Sequence, residues 1–307
     1  MLLVVVFLVF SFDLWLHGPV QSPLRHVGLF VSLLSGLTNR FEAMVLAEFV
    51  WLIILFGRKA EVELQQVSDV VATEGLDSRG KKLLEDAYKV LLGNLNEKTN
   101  ADMKPWKLHA ENSDYGIKVY SSEFVAQSIK RWKVEVVVKS IDIDTFLDQV
   151  FNFDIRCGQG DTKGWDVAIK QGRIAHSFDV NDEYTISVMN THPAGGGAIS
   201  SREFIDLRWR QRTPSNVLVT IVSPDPKIHS YLKLPQGDKS LVRATNYPGA
   251  GIRLTVLPGG DLKYESISNA SIGGWLPTSV INSATAGAMM ESHVAMVTHL
   301  RKYNKNK

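Results

Sequence analysis

The chain has 307 residues, of which 45% are hydrophobic, with 34 Lys and Arg against 32 Asp and Glu. The net charge of +2 excludes a nucleic-acid binder that works through bulk electrostatics. The single cysteine, Cys157, excludes an internal disulfide and a Cys-based structural zinc site, and the length allows a full core in about two domains or one large one.

Apolar residues concentrate at the start. Leu2–Phe10 is an unbroken run that Phe12–Leu16 extends past Ser11. Val27–Leu34 and Ala43–Phe56 follow, the last interrupted by Glu48. Each run is shorter than the about 20 residues of a straight span. They read as short or re-entrant membrane helices, which makes residues 1–56 a membrane-anchoring region. Buried helices of a soluble core and a cleaved signal are the alternatives. The first run lacks the basic start and small-residue cleavage site of a signal. Trp15 and Trp51 suit membrane interfaces, and Arg58-Lys59 put the rest of the chain in the cytosol by the positive-inside rule. Residues 57–77 are a polar linker, and 78–305 form the main domain.

In that domain Leu83, Leu84, Ala87, Val90, Leu91 and Leu95 recur at helical spacing, so Lys81–Glu97 predicts a helix. From Trp106 the apolar period becomes two. Trp106–Glu111 and Ile117–Ser121 flank a turn cluster and predict a hairpin; Trp132–Lys139 is a third strand. Asp142–Phe153 is a helix with an Asp cap. Strands follow at Ala168–Lys170, Arg173–Val180, Tyr184–Asn190, Glu203–Arg210, Val217–Val222, Leu241–Thr245, Gly251–Leu257 and Leu262–Ala270. Pro277–Lys302 is a long final helix with Pro in its first turn. Strands do not alternate with crossover helices, which excludes a doubly wound sheet. The class is α+β, an antiparallel sheet gripping the last helix.

Chemistry-bearing patterns are missing. There is no GxSxG, HExxH, P-loop or dinucleotide fingerprint. His293 and His299 lie six apart and share no helix face. Cys157 has no local His or Asn to activate it. No enzyme activity, metal or cofactor is expected. Arg208, Arg210 and Arg212 alternate with Leu207, Trp209 and Gln211. They form either a polar outer face or a face on which Arg208 points inward with Asp206, two residues back, as its partner.

Four motifs in order resemble the START (StAR-related lipid transfer) family over residues 78–303. Ser201–Arg208 (SREFIDLR) is similar to its PRDFVxxR, and Gly274–Asn282 (GWLPTSVIN) to its GWLPKSIIN. His299–Lys302 matches the start of HLRKR, and Val242-Arg243-Ala244 with Pro248-Gly249 resembles VRxENGP. Gly164-Trp165 resembles the family's Trp before the pocket strands. The stretch Ser187–Phe204 is most similar to the membrane-anchored, late-endosomal sterol-transfer member, whose N-terminal membrane region is of the MENTAL type. The resemblance implies a helix-grip fold with an internal lipid tunnel and a sterol or other lipid ligand. It also implies action at membranes, with contact-site proteins as further partners, and a late-endosomal membrane location. The candidate ligand site comprises Arg208, Met189, Trp165 and Asn246, with Asp206 from the strand alternation and Gly287 and Met290 from the stripe of small and flexible residues on the final helix. In sterol-binding members an acid faces the arginine; here that acid's position, nineteen residues before Arg208, is Met189. A phospholipid or fatty-acyl carrier, or a lipid-sensing tether, is the alternative.

Overall fold

The computed structural model describes residues 75–96, 104–123, 130–159 and 162–306. Residues 1–56, read above as a membrane region, lie outside these, as does almost all of the linker. Among the described residues no helix is long and apolar enough to cross a membrane.

Helix α1, Ser78–Leu95, starts three residues earlier than the apolar stripe indicates, because Asp77 caps it by accepting from the Gly80 amide at 2.8 Å. Strands β1 (Lys107–Asn112), β2 (Ile117–Glu123) and β3 (Lys130–Val138) follow. The helix expected over 142–153 is two. Asp142 caps α2, Ile143–Phe151, and Asn152 leaves helical geometry and caps α3, Phe153–Cys157. The two strands expected across 168–180 are one, β4, Ile169–Ser177, bulged at two places. Gly172 lies within it because the Phe153 ring occupies the space a Cβ would need, 2.2 Å away.

Strands β5 (Tyr184–Thr191), β6 (Arg202–Arg212), β7 (Asn216–Val222), β10 (Ala250–Val256) and β11 (Leu262–Ser268) complete an antiparallel sheet in the order β1-β2-β3-β11-β10-β7-β6-β5-β4. The two-residue β8, Val242–Arg243, adds a short parallel contact to β6. Strands β9 (Thr245–Asn246) and β12 (Ala270–Ser271) pair separately and lead into the final helix α4, Thr278–Lys305.

The two-residue period decides what each face meets. Val119, Val134, Val136, Val219 and Leu254 share one buried cluster with Met296, Val297 and Leu300 of α4. Ile186, Ile205, Leu207 and Val222 point to the other side and cluster with Leu84 and Ala87 of α1. The sheet is thus held between α1 and α4. Residues with the parity of Phe204, Asp206 and Arg208 face α4.

Candidate ligand-binding site

The core contacts of α4 lie mostly in its C-terminal half. Beside its N-terminal half an open cleft of about 870 Å³ separates the helix from the β5–β6 connection. Val280, Ala284, Gly287 and Ala288 form the helix wall, and His192, Ala194 and Ile199 the opposite wall. Thr191 and Phe204 contribute from the sheet. A Cβ added at Gly287 would meet nothing within 4 Å, so this glycine leaves its space to the cleft. Opposite, Gly195, Gly196 and Gly197 all take positive φ and let the connection fold back on itself through the Ala194–Ile199 bridge.

The lining is largely apolar with a few polar groups. His293 donates from Nδ1 to the Met289 carbonyl at 2.7 Å, which leaves Nε2 as an acceptor, 3.5 Å from the Ser266 hydroxyl. Burial lowers the pKa of this imidazole and keeps it neutral. Arg202 is the one cation among the described lining residues, and its guanidinium is engaged. It donates to the Ile272 carbonyl at 2.5 Å and to the carbonyl and hydroxyl of Ser200 at 2.7 and 2.6 Å.

Of the seven residues placed in the ligand site from the sequence, Gly287 lines this cleft. Asp206 lies deeper on the same sheet face and is fully buried. Its carboxylate accepts from the Ser223 hydroxyl at 2.5 Å and from the Asn246 amide at 2.9 Å, so Asp206 and Asn246 are brought together. Burial pushes the Asp206 carboxyl up to about 6, against the pull of these two donors and of Arg208. Asp206 is therefore not the direct partner that the strand alternation offered Arg208. That guanidinium instead approaches the Phe151 ring, 5.8 Å to the centroid, in a separate crevice of about 540 Å³ between α2–α3 and the sheet. Burial, with Arg156 nearby, lowers its pKa to about 10.

Met189 does not stand opposite Arg208. The β5–β6 register pairs Met189 with Phe204 and Arg208 with Thr185. Four residues separate Met189 from Thr185, about 13 Å along the strand. Trp165 also lies elsewhere: its indole donates to the Gln149 carbonyl at 2.9 Å and stacks on His299. Met289 and Met290 both pack against the helix-facing core, and of the two Met289 also lines the cleft. Phe204, Met289 and His293 were not placed in the ligand site from the sequence. The strand alternation that puts Phe204 with Asp206 and the helical spacing from Met289 to His293 were the available signals.

A sequence model of the START domain matches residues 94–306. Among solved structures, human StAR-related lipid transfer protein 5 superimposes with a TM-score of 0.59 at 18% identity, covering 75% of this chain and 100% of that one. Human STARD10 superimposes with a TM-score of 0.54 at 16% identity, covering 70% of this chain and 80% of that one. At such identities these are likenesses of fold. No curated protein matches the chain by sequence.

Proposed function

The chain belongs to the START domain family, whose members bind and transfer lipids, and from that premise we propose that it carries one neutral, sterol-like lipid between membranes in the cleft beside α4. The observation that carries this reading is the largely apolar lining, in which Arg202 is the one cation among the described residues. Phosphate and carboxylate headgroups are best held by several charged donors, whereas Arg202 is the one lining cation among the described residues and spends Nε and Nη1 on the carbonyls of Ile272 and Ser200 and on the Ser200 hydroxyl. A hydroxyl needs only an acceptor or a weak donor, and the hydroxyls of Thr191 and Ser283 supply such groups. The volume of about 870 Å³ suits a single ligand, since such pockets run to about 300–1,000 Å³.

Binding in this reading is burial of apolar surface, at about 25 cal/mol per Å² removed from water. No bond is made or broken. In this reading residues 1–56 anchor the chain through their three apolar runs, and the resemblance of Ser187–Phe204 to the late-endosomal member is what suggests that membrane. Displacement of a fluorescent sterol from the full chain tests the ligand. Unlabelled sterol should displace it, and phosphatidylserine or a free fatty acid should not. Displacement by phosphatidylserine at lower concentration than by sterol would make the chain an anionic-lipid carrier. High-affinity sterol binding without transfer between vesicles would make it a sensor or tether.

A further inference from the structure

The crevice between α2–α3 and the sheet has no part in the lipid cleft. Phe204 lines the cleft and Arg208 the crevice, four residues or about 13 Å apart along β6. The fully buried Asp206 lies between them. The crevice holds about 540 Å³, within the range of small-ligand pockets. Leu147 and Phe151 of α2 form one wall, and β4, β5 and β6 bring Arg173, Thr185, Arg208 and Arg210 to the other. Thr185 and Arg208 are direct neighbours in the β5–β6 register.

Arg208 is what points to a ligand. A guanidinium drawn away from water needs partners for its five donors. Among the described residues Arg208 makes no ion pair and no hydrogen bond, and its contact is the Phe151 ring, 5.8 Å to the centroid. A ring face attracts the charge and leaves the donors unused. With its pKa lowered to about 10, by burial first and then by Arg156, the group is still a cation at neutral pH. Arg210 gives one nitrogen to the Asn181 carbonyl, and Arg173 has no hydrogen bond or ion pair among the described residues. Three carboxylates also line the crevice, those of Asp148, Asp154 and Asp182, but all three residues are exposed, where solvent screens them. Asp148 already accepts from the Gln149 amide at 2.8 Å. The cations Arg208 and Arg210 are thus withdrawn while the acids stand at the rim. Guanidinium forks converging from neighbouring strands match the oxygens of a phosphate or carboxylate. We propose that this crevice is an oxyanion site, in which Arg208, with Arg210 and Arg173, holds the phosphate or carboxylate group of a second ligand. The site goes beyond the lipid reading and does not depend on which lipid fills the cleft.

The test is calorimetric titration of the full chain in phosphatidylcholine nanodiscs, at fixed ionic strength, with inorganic phosphate and separately with dihexanoyl phosphatidic acid. At least one probe should bind saturably at one per chain. Binding of both identifies a soluble anion as the source of the group, and binding of phosphatidic acid alone identifies a lipid headgroup. Arg208→Met should weaken binding about tenfold or more, the loss of a charge-assisted pair. Arg173→Gln, at the exposed rim, should weaken it about threefold and serves if Arg208→Met does not fold. Saturating sterol should leave the titration unchanged. Absence of saturable binding by either probe, or binding that both variants leave intact, would overturn the proposal. Displacement of the probe by sterol would also overturn it, because the crevice would then be a continuation of the lipid site.

Discussion

Asp206 carries a charge that burial disfavours on the helix-facing side of the sheet. Its folded-state pKa of about 6 lies above the ordinary 3.8, so the folded chain keeps a proton that the unfolded chain releases. Its contribution to stability is therefore full below about pH 4 and falls as pH rises to about 6, by about 2–3 kcal/mol. Asp206→Asn removes the titration. Urea unfolding across that range should show wild type losing stability relative to the variant by this order, and parallel curves would show that the carboxylate is not penalised. Gly287 supports a second substitution. Leu at this position fills the cleft, meets no neighbour at its Cβ and has better helix propensity by nearly 1 kcal/mol. Gly287→Leu should raise or preserve Tm while weakening lipid binding roughly tenfold. Unchanged binding would move the ligand away from this cleft. At this scale the sequence was legible in part. A glycine within a helical pattern signals close approach or open space, and Gly287 has open space. Met290 was not separable from Met289, because residues one apart differ by about 100° around a helix and only the packed sheet decides which faces the cleft.

The halves of α4 are held differently. Its C-terminal half is tied to the sheet and loops by His299 to Gln149 at 2.9 Å, Arg301 to the Asp114 carbonyl at 2.9 Å and Asn304 to the Lys139 carbonyl at 3.2 Å. Ser292 donates to Asp166, itself paired with Arg156, at the middle of the helix. In the N-terminal half Thr285 bonds to its own helix at Ile281, and Pro277 provides no side-chain cap. The account predicts that amides over Ser279–Ala288 exchange with deuterium about tenfold or more faster than those over Met296–Asn304, so that the helix opens at the cleft end. Uniform protection along α4 would place the ligand's exit at another element. Strands and the final helix were readable from apolar period. The break at Asn152 was not, because Phe151 and Phe153 continue the apolar pattern on either side. The β5–β6 register was also hidden. The conformation of residues 192–201 sets it, and no pairwise pattern in the strands distinguishes Phe204 from Arg208 as the neighbour of Met189.

Taken as one chain, the molecule combines an apolar start with a START domain, and the two parts make separable predictions. Alkaline carbonate extraction should leave the full chain in the membrane pellet, and its appearance in the supernatant would refute anchoring by residues 1–56. The family was legible because its motifs fall at fixed structural places: Ser201–Arg208 enters β6, and Gly274–Asn282 turns into α4. The position of the cleft was not, since it depends on how far α4 stands from the β5–β6 connection rather than on the residues of either alone. The central claim, a single neutral lipid in that cleft, is tested most directly by native mass spectrometry of the full chain with extraction and identification of the bound lipid. The account predicts one sterol per chain, at reduced occupancy in Gly287→Leu; a diacyl phospholipid or fatty acid as the bound species, or a sterol retained in full by Gly287→Leu, would contradict it.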